Sequence, residues 1–151
     1  MDKVEAILAA HPFFKDLAPR HLQVLAECAS TVNFAAGEYL FRENEEATNF
    51  YVLYHGRVAL EIFAGARGPL TIRTVEAGEV LGWLWFAKPY HWRAEARALE
   101  VTRALALDVA KVAQRCEADH ELGYSLLKAY SHVLAVLFRV AFVQLLDIYG
   151  T

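Results

Sequence analysis

The apolar positions of this chain change period twice. Through about residue 30 they recur at helical spacing, at Val4, Ile7, Leu8, Leu17, Leu22, Leu25 and Ala26. His11-Pro12 and Ala18-Pro19 interrupt them, because proline pushes its predecessor away from helical backbone and is best tolerated in a first turn. Two short helices are predicted there. From about residue 32 the period falls to two, in short β-branched and aromatic runs at Thr31 to Phe34, Tyr39 to Phe41, Phe50 to Tyr54, Arg57 to Phe63, Leu70 to Val75, Trp92 to Leu99 and Arg103 to Leu107. Runs this short and closely spaced predict a β-roll or jelly roll of about eight strands. Gly37, Gly56 and Gly78 fall between the runs, where tight turns need positive φ.

After Asp108 helical spacing returns. Val109 to Cys116 predicts a short helix, and residues 119 to 148 a long one with no proline and Gly123 as its weak point. Thirty residues rising 1.5 Å each span roughly 45 Å, more than a roll of this size is wide. Leu126, Tyr130, Val133, Leu137 and Val140 make one stripe along that helix, and Leu127, Leu134, Ala141, Leu145 and Ile148 make a second beside it. Two adjacent apolar faces predict one surface for the chain's own roll and one for a second copy, a homodimer through about 119–148. Gln144 and Asp147 would mark the end of the shared seam. A helix wrapped entirely by its own domain is the alternative. The fold class expected is mainly β with flanking helices (α+β), in a single domain: a helical lead-in over 1–30, a β-roll over 31–108 and C-terminal helices over 109–151.

Composition narrows the function classes. The chain has 151 residues, 56% apolar and 13% aromatic, enough for a packed core. A net charge of −3 and a pI near 6.1 do not suit a polyanion ligand such as DNA. Cys28 and Cys116, the only cysteines, suit buried thiols in a reducing cytosol. The charged start Met1-Asp2-Lys3-Val4-Glu5 is unlike a signal peptide. Val133 to Leu146, interrupted by Arg139 and Gln144, is shorter than the ~20 apolar residues of a membrane span. These features predict a cytoplasmic protein without a membrane segment, its greasiest stretch lying in a heavily buried helix. The six histidines are scattered and no nucleophile elbow occurs, so no catalytic residues are assigned and no enzyme is expected. Cys116, Glu117, His120 and Glu121 lie at helical spacing and could form a metal face. A cap at Asp119 explains the acids more simply, so no metal is expected.

The densest chemistry is aromatic: Trp83, Trp85, Phe86, Tyr90 and Trp92 fall within ten positions. Such a cluster can fill a pocket, stack on a planar or cationic ligand, or form a patch for a protein partner.

Four motifs occur in order. His11-Pro12-Phe13-Phe14 opens a turn. Gly37-Glu38-Tyr39-Leu40-Phe41-Arg42-Glu43-Asn44-Glu45, Phe50-Tyr51-Val52-Leu53-Tyr54-His55-Gly56-Arg57-Val58 and Gly78-Glu79-Val80-Leu81-Gly82 follow. Over residues 10 to 148 the chain resembles the cyclic-nucleotide-binding domain of catabolite-activator-like regulators. The resemblance implies a phosphate-binding cassette after Gly82, whose helix start turns backbone N–H groups toward a cyclic phosphate. It also implies a Glu just after the glycine for the ribose and an Arg about nine residues later for the phosphate. Those positions hold Trp83 and Trp92, so both grips are missing. Arg93 is a candidate substitute, but strand parity turns Arg93, Glu95 and Arg97 outward and Trp92, Ala94, Ala96 and Ala98 inward. By parity Arg93 is a solvent-facing charge paired to Glu95, while the resemblance keeps it a candidate, since its position is one where the family often places a Ser or Thr that reaches the phosphate.

The expected protein is thus a stand-alone regulatory domain whose binding of cyclic AMP or cyclic GMP is weak or absent, with no cofactor. If the pocket is functional, Gly82, Trp83, Leu84, Trp85, Trp92, Arg93 and Ala94 line it. A ligand-free dimerisation or interaction module and a sensor of another small molecule are the alternatives. Family members that control transcription carry a helix-turn-helix after the long helix. This chain stops at Leu146-Asp147-Ile148-Tyr149-Gly150-Thr151, so no direct DNA contact is expected and the downstream partner would be an unidentified protein.

Overall fold

The computed structural model describes residues 3–63, 65–82 and 94–149. Helix α1 (Lys3–Ala10) leads through a single 3-10 turn at Pro12–Phe14 into α2 (Pro19–Glu27), so both prolines open helical turns as expected. Eight strands follow: β1 (Ala29–Phe34), β2 (Tyr39–Phe41), β3 (Asn49–His55), β4 (Arg57–Phe63), β5 (Pro69–Glu76), β6 (Val80–Leu81), β7 (Glu95–Ala98) and β8 (Thr102–Asp108). They form two antiparallel four-stranded sheets, ordered β1-β8-β3-β6 and β2-β7-β4-β5.

Strand parity divides the core in two. Phe50 and Val52 of β3, with Leu105 and Leu107 of β8, face the helices and pack with Leu8, Phe14 and Leu25. Their neighbours Tyr51, Leu53, Ala104 and Ala106 face the other way, into the roll, against Val58, Val75, Ala96 and Ala98. These two strands therefore read as apolar runs rather than an alternation, and each fully buried Leu, Val or Phe contributes about 1.5–3 kcal/mol. Gly56, at the β3–β4 turn, has φ +99°, and a Cβ there would lie 2.5 Å from Thr102 Oγ1 and 2.6 Å from the Val101 carbonyl. Only glycine fits.

Asp108 caps α3 (Val109–Ala118) by accepting the Lys111 N–H at 3.1 Å. Asp119 accepts the Glu121 and Leu122 N–H groups at 3.2 and 3.3 Å as α4 (His120–Tyr149) begins. Leu122, Leu126 and Tyr130 of α4 are buried against the chain's own core. Beyond Tyr130 the burial stops, with Phe138 69%, Leu145 54% and Ile148 70% exposed. The expectation of a heavily buried helix is corrected here, and so is the alternative of a helix wrapped by its own domain, because past Tyr130 only Val133 and Leu134 still pack, half-buried, against the core. The apolar stretch from Val133 also belongs to a helix of 30 residues, which by length and composition alone could cross a membrane.

Candidate functional site

The chain approaches the expected cassette through a stitched turn. Gly78, at φ +91°, donates its N–H to the Leu53 carbonyl at 3.0 Å, and the Leu53 N–H returns to the Glu79 carbonyl at 3.1 Å. Val80 and Leu81 then pair with Val52 and Tyr51 as β6. The period-two pattern does not reveal this strand, since a strand of two residues shows no periodicity. The same Leu53 carbonyl also lies 3.0 Å from His11 Nε2, while His11 Nδ1 accepts the Phe13 N–H at 3.2 Å. The His11 ring therefore carries its proton on Nε2. It is 3% exposed, and burial holds its pKa below the usual histidine value.

Gly82, at φ +121°, ends this segment. Its carbonyl accepts the Tyr130 hydroxyl at 2.6 Å. Tyr130 is 3% exposed and its pKa is pushed up to about 12 by burial, so the hydroxyl stays a donor throughout the neutral range. Helix α4 is thus bonded directly to the residue that leads into the cassette. In the sequence Tyr130 reads as one member of an apolar stripe, and a hydroxyl in an otherwise aliphatic row is the signal that marks it. Glu79 forms an ion pair with Arg73 of β5 beside this link.

Of the expected pocket residues, Gly82 and Ala94 are described; Trp83, Leu84, Trp85, Trp92 and Arg93 lie outside the described residues, as do Phe86 and Tyr90. Ala94 is half-buried. Along β7, Ala96 and Ala98 are fully buried, as parity predicts. On the other face, Arg97 makes a two-pronged pair with Glu61 at 3.1 and 3.2 Å. Glu95 is bound by Arg42 at 3.0 Å, because β2 lies next to β7 and brings that guanidinium alongside; its expected pairing with Arg93 lies outside the described residues.

The residues considered for a metal face do not converge. Cys116 is buried, its thiol pushed up to about 12 by burial and by Cys28 nearby. Glu121 is turned to Arg20 at 2.7 Å, which also holds the capping Asp119 at 3.3 Å. Among the described residues no group of three His, Cys, Asp or Glu side chains is placed to hold a metal ion.

Two four-stranded antiparallel sheets in a roll, a helical lead-in stitched to them through His11, and a long helix bonded to the cassette's first glycine define a cyclic-nucleotide-binding-like regulatory fold. A sequence model described as the cyclic nucleotide-binding domain matches residues 31–119, and the chain belongs to that family. Among solved structures it is similar to a protein from Geobacter metallireducens GS-15 named for cyclic nucleotide binding, with TM-score 0.76 and 29% identity over 91% of this chain and 99% of that one. It is also similar to the N-terminal domain of a transcriptional regulator from Streptomyces coelicolor A3(2), with TM-score 0.71 and 25% identity over 89% and 94% of the two chains. A cyclic nucleotide-binding domain from Methylobacillus flagellatus KT shares the fold at TM-score 0.80 and 19% identity, covering 95% and 81%. No curated protein matches the sequence.

Proposed function

We propose that this domain is a homodimeric regulatory sensor in which the state of the cassette is relayed to a second subunit through α4, and in which the usual grips on a cyclic nucleotide have been lost. The observation that carries the reading is the 2.6 Å bond from Tyr130 to the Gly82 carbonyl. One end of that bond begins the cassette, and the other sits where α4 passes from buried to exposed. A change in cassette packing would act on the helix at its last anchored turn. The exposed apolar residues beyond it, Phe138, Leu145 and Ile148 among them, supply the surface for a second copy. Such a relay is allosteric only if a ligand prefers one arrangement of the helix.

Trp83 and Trp92 stand where the family's acid and guanidinium would be. Loss of a buried Arg–phosphate pair weakens binding by several kcal/mol, and indoles at those two positions would compete with the nucleotide for volume. The domain is therefore read as non-catalytic and cytoplasmic, its apolar helix covered by protein rather than lipid, its output passing to a protein partner. A ligand-free dimerisation module is the second reading. It is favoured by the interior alanines Ala96, Ala98 and Ala104, each already fully buried.

Light scattering on the full chain tests the dimer: wild type should elute at twice the monomer mass, and Phe138→Glu with Leu145→Glu should halve it. A monomeric wild type overturns the relay. A thermal-shift panel of small molecules separates the two readings, since a stabilising ligand supports the sensor and a flat panel supports the module.

A further inference from the structure

Outside the roll, the Pro12–Phe14 turn, the β5–β6 turn and the first turns of α4 enclose a cleft of about 540 Å³ among the described residues. The volume lies within the range of small-molecule sites. Pro12, Phe13, Val80 and Val133 give it apolar walls. Phe13 is held edge-on to Phe14 at 4.8 Å and to Tyr130 at 6.4 Å between ring centroids, so this wall is fixed before any ligand arrives.

Along α4 the cleft lining is polar from Ser125 through His132 and apolar beyond, at Val133 and Val136. Ser125, Lys128, His132 and Val136 project from one face of α4 at spacings of three and four residues. Lys15 also lines the cleft, from the end of the proline turn. Lys128 and Val136 are eight residues apart, so the basic end and the apolar end are separated by about 12 Å along the helix. The lining cations are Lys15, Lys128 and Arg73, with His132 beside them, against the carboxylates Asp16 and Glu79. Arg73 and Glu79 neutralise each other, whereas Lys15 and Lys128 form no ion pair among the described residues.

We propose that this cleft binds an amphipathic monoanion, its carboxylate between Lys15 and Lys128 and its apolar body lying on Phe13 and Val133 toward Val136. The span of about 12 Å suits an acyl chain of roughly ten carbons. Val80 lies two residues before Gly82, and Phe13 packs on Tyr130. An occupant would therefore touch both sides of the Tyr130–Gly82 link without entering the roll, so this site is independent of whether the cassette holds a ligand.

Sodium decanoate below its micelle concentration is the probe, titrated into the full chain by calorimetry with thermal melting alongside. One saturable site per chain is expected, with a raised melting temperature. Lys15→Glu with Lys128→Glu should weaken it by roughly tenfold or more, the scale of a lost charge-assisted contact. Both side chains are exposed, so the ligand-free melt should not change. Val136→Glu should abolish binding from the other end, and decanol should bind at least tenfold more weakly than decanoate. Equal binding of decanol and decanoate, or unchanged affinity in the double variant, would show adsorption to the exposed part of α4 and overturn the proposal, as would the absence of any binding.

Discussion

Replacing Tyr130 with phenylalanine removes one hydroxyl and keeps the ring that packs against Phe13 and Phe50. The lost bond is short at 2.6 Å and Tyr130 is 3% exposed, so the carbonyl of the half-buried Gly82 loses its donor on the side that faces the core. Leaving a buried acceptor unsatisfied costs about 1–3 kcal/mol. For a chain of this size each kcal/mol lowers the melting temperature by roughly 2–4 °C, so a fall of roughly 2–12 °C is expected. Tyr124→Phe serves as the control, because Tyr124 is 65% exposed and its hydroxyl is wet; its effect should stay within about 0.5 kcal/mol. A second readout is specific to the site. The three tryptophans of the chain, Trp83, Trp85 and Trp92, all follow Gly82 within ten positions. Intrinsic fluorescence therefore reports on this one segment, and the Tyr130→Phe variant should shift its emission while Tyr124→Phe should not. Wild-type melting and wild-type emission in Tyr130→Phe would refute the link between α4 and the cassette.

Burial lowers the His11 pKa, so the folded chain prefers the neutral ring that accepts from Phe13 and donates to Leu53. That contribution is present above the ordinary histidine value of 6.5 and is lost as pH falls through the lower folded value. Wild type should thus lose stability between pH 7 and 5, and His11→Asn should show a flatter slope from a lower starting point; parallel slopes would contradict it. Gly56→Ala should cost about 2–4 kcal/mol, because its Cβ would meet Thr102 and the Val101 carbonyl below 3 Å. Gly37→Ala, with φ +91° but open space around it, should cost about 1 kcal/mol. Arg97→Leu leaves the buried Glu61 carboxylate unpaired and should cost about 1–2 kcal/mol, discounted because Arg97 itself is 35% exposed. Adding Glu61→Leu should recover most of that loss in a double-mutant cycle.

The roll and its flanking helices were legible because each element has one dominant period. The alternation along β7 and the helical stripe through Leu126 and Tyr130 point the way the structure places them. Strands β3 and β8 were legible for another reason: buried on both faces, they read as apolar runs. What escaped the sequence is non-local. The bond from Tyr130 to Gly82 spans 48 positions and that from His11 to Leu53 spans 42, and no periodicity encodes either. The Arg42–Glu95 pair was missed likewise, since it is made by sheet topology that brings β2 alongside β7. The cleft against α4 is assembled from three segments far apart in the chain, and was invisible until they were brought together.

The central claim is that a member of the cyclic nucleotide-binding family has exchanged its nucleotide grips for indoles. Titration calorimetry with cyclic AMP and cyclic GMP on wild type and on Trp83→Glu/Trp92→Arg tests it most directly. The two grips are worth several kcal/mol, a factor of roughly 10²–10⁴ in affinity. No heat of binding for wild type and saturable binding for the double variant is the predicted result; tight saturable binding by wild type would contradict it.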